Sequence, residues 1–189
     1  MSMVFCGSFL ILRKPQTMKT LLLSTLLLLL AFAARPAMAG PPVTTIYLVR
    51  HAEKDLAPGA ADPLLTPAGE ARAQALRNKL AGKHPAALFT TDTRRTRATL
   101  APLAVATGLT PLVYDAKKTD ALAIRLYKEY AGRTVVVVGH SNTLLPLLVA
   151  LGVKAPVQEI KEEEFSYLFR VELREGQPAK LKVSHYGAQ

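Results

Sequence analysis

Ile46-Tyr47-Leu48-Val49-Arg50-His51-Ala52-Glu53 decides the fold. Four residues suited to a buried strand run directly into an arginine, a histidine and a glutamate, so the polar groups stand where the strand leaves its sheet. α/β proteins hold their ligands at that edge. The guanidinium offers a planar fork of donors, and a neutral imidazole keeps one lone pair free for attack. Together they suit a tetrahedral oxyanion, phosphate foremost. A surface Arg-His pair at a strand end accounts for the tripeptide alone equally well.

Downstream, Lys54 to Leu64 is rich in Ala, Pro, Gly and Asp and reads as a loop over the site. Thr66-Pro67-Ala68-Gly69-Glu70 predicts a helix start, with Thr66 as cap, Pro67 in the first turn and Glu70 facing the positive end. That helix is expected to reach Ala81, burying Ala73, Leu76 and Leu80, with Gly82 as its stop. Ala87-Leu88-Phe89-Thr90 is a second strand. It opens onto Asp92-Thr93-Arg94-Arg95-Thr96-Arg97 and a helix to Thr107, capped by Asp92 or Thr93 and kinked at Pro102. Cations in that first turn oppose the helix dipole, a conflict that a bound anion removes. Three solvated arginines on one helix is the alternative.

Leu112-Val113-Tyr114 is a third strand ending at Asp115, and Asp120 to Tyr130 is a third amphipathic helix. Thr134 to Val138 is too apolar for a half-exposed strand and belongs in the centre of a sheet covered on both faces. It stops at Gly139-His140-Ser141-Asn142, where the glycine allows the backbone to come close to a ligand. Thr143 to Leu151 is a short apolar helix, for which Asn142 is read as the cap. Phe165 to Leu173 and Lys180 to Tyr186 form an antiparallel edge hairpin around Gly176, and Glu162-Glu163-Glu164 ahead of them reads as a solvated run.

Upstream, Lys19, the apolar run Leu21 to Ala34 and the small residues Ala37-Met38-Ala39 form a secretory signal pattern. The run is shorter than the roughly 20 residues a membrane span needs. Residues 1–39 are therefore expected to be a cleaved signal peptide, with Met18 a better start than Met1 and 1–17 a mispredicted extension. That leaves one domain, 40–189, a periplasmic or secreted location and no stable membrane anchor after cleavage. Cys6, the sole cysteine, falls in the leader, so the expected mature chain forms no disulfide. Losing Arg13, Lys14, Lys19 and Arg35 takes Lys+Arg from 24 to 20 against 14 acids, so the formal charge drops from +10 to +6. Such an excess favours anionic partners. The basic residues are dispersed and lack an aromatic ladder, which argues against nucleic acid.

Strands and helices alternate four times, which implies right-handed crossovers and a mainly parallel sheet in a three-layer α/β/α fold with an antiparallel edge. All strand exits then share one edge. His51, Arg95 and His140 follow the first, second and fourth strands, so three separate loops deliver them to one anion site.

At these motifs the chain resembles the histidine phosphatase superfamily, the phosphoglycerate mutase-like group, in a small exported bacterial-type form. Val49-Arg50-His51-Ala52-Glu53 resembles its Arg-His-Gly motif with alanine in place of glycine. Leu65-Thr66-Pro67-Ala68-Gly69 is similar to its helix start, Thr91 to Thr99 to the segment supplying a second arginine, at Arg95, and Val138-Gly139-His140-Ser141-Asn142 to the segment with the second histidine. The resemblance implies that His51 attacks phosphorus and carries the phosphoryl group until water removes it, while Arg50, Arg95 and His140 hold the equatorial oxygens. The leaving alcohol oxygen needs a proton, best supplied by a carboxyl group, unless the substrate has a good leaving group. Asp115 is placed for it by comparison with the mutase branch and Glu53 by proximity, although Glu53 equally suits orienting Arg50 or His51.

His84 is expected to be exposed and His185 structural. No cluster has metal-ligand spacing, so neither metal nor cofactor is expected. The leading reading is a phosphomonoesterase acting on a small phosphorylated substrate, such as an envelope phospho-sugar. The alternatives are a non-catalytic binding protein for a phosphorylated envelope component and a sugar-phosphate mutase, which suits the pocket but not the export signal.

Overall fold

In the computed structural model, residues 40–56 and 61–188 are described. The expected leader, 1–39, and residues 57–60 of the loop over the site lie outside them. Every strand that the sequence predicts forms. They are β1 (Thr44–Arg50), β2 (Ala87–Thr90), β3 (Leu112–Val113), β4 (Thr134–Gly139), β5 (Tyr167–Leu173) and β6 (Lys180–His185). Between them run α1 (Pro67–Leu80), α2 (Arg94–Thr107), α3 (Thr119–Glu129) and α4 (Ser141–Ala150).

The strand order is β3-β2-β4-β1-β5-β6. β3, β2, β4 and β1 are parallel, whereas β5 returns antiparallel beside β1 and pairs with β6. Val135 to Val138 have no exposed surface, as expected of a strand whose two faces are both covered. Val135 and Val137 pack with Leu122, Leu126, Leu144 and Leu147 of α3 and α4. Val136 and Val138 pack with Leu76, Leu80, Leu100 and Leu103 of α1 and α2. Burying each such side chain contributes on the order of 2 kcal/mol, so the two helix pairs clamp the sheet and fix where its strands end.

Local chemistry shaped several ends differently from the sequence expectation. Thr66 caps α1 by accepting from Gly69 N at 3.1 Å. Gly82 does not stop the chain; a 3-10 turn, Ala81–Lys83, carries it on to exposed His84, which takes the left-handed conformation instead (φ 48°). His140, not Asn142, stands before the first turn of α4, with its N–H donating to Thr143 Oγ1 at 3.1 Å. The helix therefore begins two residues early and draws Asn142 into its first turn. Gly139 serves a contact within the protein: a β-carbon there would lie 2.7 Å from the Tyr114 hydroxyl.

Candidate active site

β4 lies between β1 and β2, so the exits of all three open side by side. His51 extends the β1–β4 ladder by one rung, its N–H donating to Gly139 O at 2.9 Å. This places its ring 5.4 Å, centroid to centroid, from that of His140, inclined at 65°. Arg50, His51, Arg95 and His140 all line one cavity of about 730 Å³, together with Lys54, Lys117, Ser141, Asn142 and Glu162. Loops that are distant in sequence thus bring all four expected side chains together.

The nitrogen geometry of His51 defines what it can do. Its Nδ1 lies 2.8 Å from the Ala52 carbonyl, an acceptor only, so Nδ1 carries the hydrogen and Nε2 keeps the lone pair. Ala52 is held in turn by its N–H donating to buried Thr99 Oγ1 at 2.9 Å. Burial, helped by the charges of Arg50, His140 and Arg95 against the pull of the Ala52 hydrogen bond, lowers the His51 pKa to about 3. His140 falls to about 4 through burial and then through Arg95, Arg50 and Lys54. Both rings are therefore neutral at pH 7. Nε2 of His140 sits 2.8 Å from Thr91 Oγ1, which also bonds Thr96.

The arginines are held differently. Arg50 is buried, and its Nη1 donates to the carbonyls of Lys161, Glu162 and Glu164 at 2.6, 3.0 and 3.3 Å, while Nη2 meets Glu162 Oε2 at 3.1 Å. The Phe165 ring covers its guanidinium at 4.4 Å. The Glu162-Glu163-Glu164 stretch is therefore not a simple solvated run, because its backbone wraps the first arginine. Arg95 Nη1 meets Asp62 at 3.3 Å, and the same carboxylate accepts from Arg94 N at 2.9 Å. The anion wanted at the start of α2 is thus supplied by the chain itself. Of the three arginines there, only Arg95 enters the cavity; exposed Arg97 pairs with Asp92. Among the described residues, Nε of Arg50 and of Arg95 are buried without a partner, so each guanidinium keeps a donor that the protein does not use.

Neither carboxylate expected as the proton donor lines the cavity. Glu53 is tied to Arg72 at 2.7 and 2.9 Å, and Arg72 continues to the carbonyls of Tyr186 and Ala188. Burial pushes the Glu53 carboxyl up, but Arg72's hydrogen bonds and charge outweigh it and hold it below the usual carboxylate range. It is a strut between the site loop and the chain's end. Asp115 folds back onto Lys117 N at 2.9 Å. Sequence reasoning also missed Lys54, Glu162 and Asp62. Lys54 adjoins the Arg-His motif, and that adjacency was a usable signal; the other two act through long-range contacts that no local pattern marks. Among the described residues, no three His, Cys, Asp or Glu side chains gather as a metal site.

A family model described as the histidine phosphatase superfamily (branch 1) matches residues 46–118, which include Arg50, His51 and Arg95. Mycobacterial glucosyl-3-phosphoglycerate phosphatase in its native form is similar in structure, with a TM-score of 0.62 at 16% identity over 78% of this chain and 100% of its own. The protein histidine phosphatase SixA complexed with tungstate gives 0.61 at 20% identity over 75% of this chain and 96% of its own. A Nakamurella multipartitia protein described as a candidate phosphohistidine phosphatase SixA gives 0.55 at 25% identity over 79% of this chain and all of its own. A search of curated protein sequences finds no match. The segment that carries three of the four expected cavity side chains thus matches the histidine phosphatase superfamily model, and the domain shares the fold of these structures.

Proposed function

We propose that this chain is a phosphomonoester hydrolase working through a phosphohistidine at His51 without a metal ion. The observation that carries the reading is the His51 ring itself: neutral, with Nδ1 fixed on the Ala52 carbonyl and Nε2 left to attack, in a cavity shared with Arg50, Arg95 and His140. As Nε2 bonds to phosphorus, the P–O ester bond breaks and the leaving oxygen takes a proton from a water molecule. Water then attacks phosphorus, the P–N bond breaks, the attacking water's proton leaves with the released phosphate and solvent, and the imidazole is neutral again. The guanidinium groups face the charge on the equatorial oxygens, where fixed donors contribute most to phosphoryl transfer. The structural neighbours named as phosphatases support the reading.

The substrate is a small phosphorylated molecule, and the leader over 1–39 directs the domain to the periplasm or outside the cell. Hydrolysis of p-nitrophenyl phosphate by the 40–189 domain in EDTA, with an alkali-quenched phosphoprotein carrying label on His51, is the expected result. Binding of phosphate without turnover would make the chain a binding protein instead.

A further inference from the structure

Beside the cavity that holds His51 runs a groove of about 1610 Å³, and the two share Thr119, Ser141, Asn142, Pro146 and Glu162 in their walls. A monoester bound through its phosphate must extend its alcohol portion somewhere, and the shared wall opens into this groove. We infer that the groove receives the leaving group and that the substrate is the phosphate monoester of an alcohol bearing an uncharged hydrocarbon chain. The inference rests on the hydrolase reading above.

The lining carries the chemistry. Leu145, Pro146 and Val149 of α4 face Val153, Val157 and Ile160 of the segment that follows. Val149 is 60% exposed, an apolar side chain that a hydrocarbon would cover. Among the described residues, no aromatic ring and no arginine lines the groove, so these walls lack the flat faces on which sugars and bases stack and the fork that grips a second phosphate. Its charged members are Asp120, Glu159, Glu162 and Glu163 against Lys154 and Lys161. That acidic excess repels a leaving group with its own anion, in contrast to the cationic cavity next door. From Asn142 to Val149 the groove follows about 10 Å of helix, at 1.5 Å per residue. This is room for a chain of medium length and exceeds what glycerol or a sugar ring fills.

The test uses binding and turnover separately. Calorimetry with methyl-, butyl- and octylphosphonate, which are not hydrolysed, should show affinity for the 40–189 domain rising at least tenfold from methyl to octyl. KM for the corresponding alkyl phosphates should fall in the same order. In V149E, the octyl-to-methyl ratio should collapse below threefold, and circular dichroism checks that this surface variant is folded. Equal affinity across the series, or a preference for sugar phosphates or a phosphohistidine peptide over octyl phosphate, overturns the inference while leaving the hydrolase reading intact. Chain-length-dependent binding without turnover of any ester would instead overturn the hydrolase reading and leave the groove assignment standing.

Discussion

The cavity has two walls with different origins. One is built by the ends of β1, β2 and β4, which deliver His51, Arg95 and His140 from the middle of a fully buried parallel sheet. The other is the segment leading into β5, whose carbonyls and Glu162 side chain wrap Arg50. The first wall is rigid because moving a strand end means breaking ladder hydrogen bonds and both core layers. The second lies outside the sheet and, around Glu162, gathers on one guanidinium. Catalytic position is therefore expected to depend on the first wall, and the shape of the pocket mouth on the second.

The largest effect should come from the rigid wall. His51→Asn removes the nucleophile while keeping a polar side chain of similar reach, and turnover should fall by at least about a thousandfold. Stopped assays on the folded variant would check this; a loss below tenfold would transfer the nucleophile's role elsewhere. Arg95→Ala should cost on the order of 3 kcal/mol of transition-state stabilisation, about a hundredfold in kcat/KM. Since, among the described residues, Arg95 pairs with Asp62 across a partly exposed contact, the variant's melting temperature should change little.

The imidazoles give a second contrast with solvent-exposed groups. A His51 pKa of about 3 lies below the unfolded value of 6.5, so the unfolded chain binds more protons in between. The stability tied to a neutral buried ring is present above pH 6.5 and is lost as pH falls from there toward 3. NMR titration should find the His51 ring neutral at pH 5. A His51 midpoint near 6.5 would contradict the buried, lone-pair-bearing ring.

The same contrast explains what was legible in the sequence. The positions of the strands along the chain and the convergence of Arg50, His51, Arg95 and His140 follow from hydrophobic runs stopping at polar residues, a local signal that parallel topology turns into a shared edge. The returning segment carries no such period. Three consecutive glutamates look alike whether they face water or lend their carbonyls to an arginine more than a hundred residues away. The role of Glu53 is open in the sequence for a related reason: its adjacency to His51 is visible there, but its partner, Arg72, is set by the face of α1 that meets the site loop. Asp115 closes its own turn on Lys117 N, a use that short polar side chains at strand ends often find.

Glu53→Gln is accordingly expected to act on stability. The variant keeps the volume but replaces charge-assisted hydrogen bonds to a buried arginine, at a cost of about 1–2 kcal/mol, read as a drop of a few degrees in melting temperature. Its sign with pH is fixed. The folded Glu53 carboxyl titrates below its unfolded value of 4.5, so its contribution is present above 4.5 and disappears as pH falls through the folded value. The wild type and the variant should therefore differ at pH 7 and converge in acid. A constant gap at all pH values would mean that Arg72 is not held by charge.

The smallest effect belongs to the second wall. Glu162 is 76% exposed at its side chain, and its carboxylate meets Arg50 at 3.1 Å and Lys54 at 3.9 Å. Solvent screening limits such a pair to about 0–1 kcal/mol. In Glu162→Ala, the Lys161, Glu162 and Glu164 carbonyls still accept from Arg50 Nη1, and Phe165 still covers the guanidinium, so Arg50 should keep its place. Removing a carboxylate from the pocket mouth also removes a competitor for the same Nη2 donor. Inorganic phosphate should consequently bind the variant up to about fivefold more tightly, the ceiling set by 1 kcal/mol, and the gain should shrink as ionic strength rises. A loss of phosphate affinity in this variant would show that the carboxylate, rather than the backbone, is what holds Arg50 in position, and the second wall would then be as necessary to the site as the first.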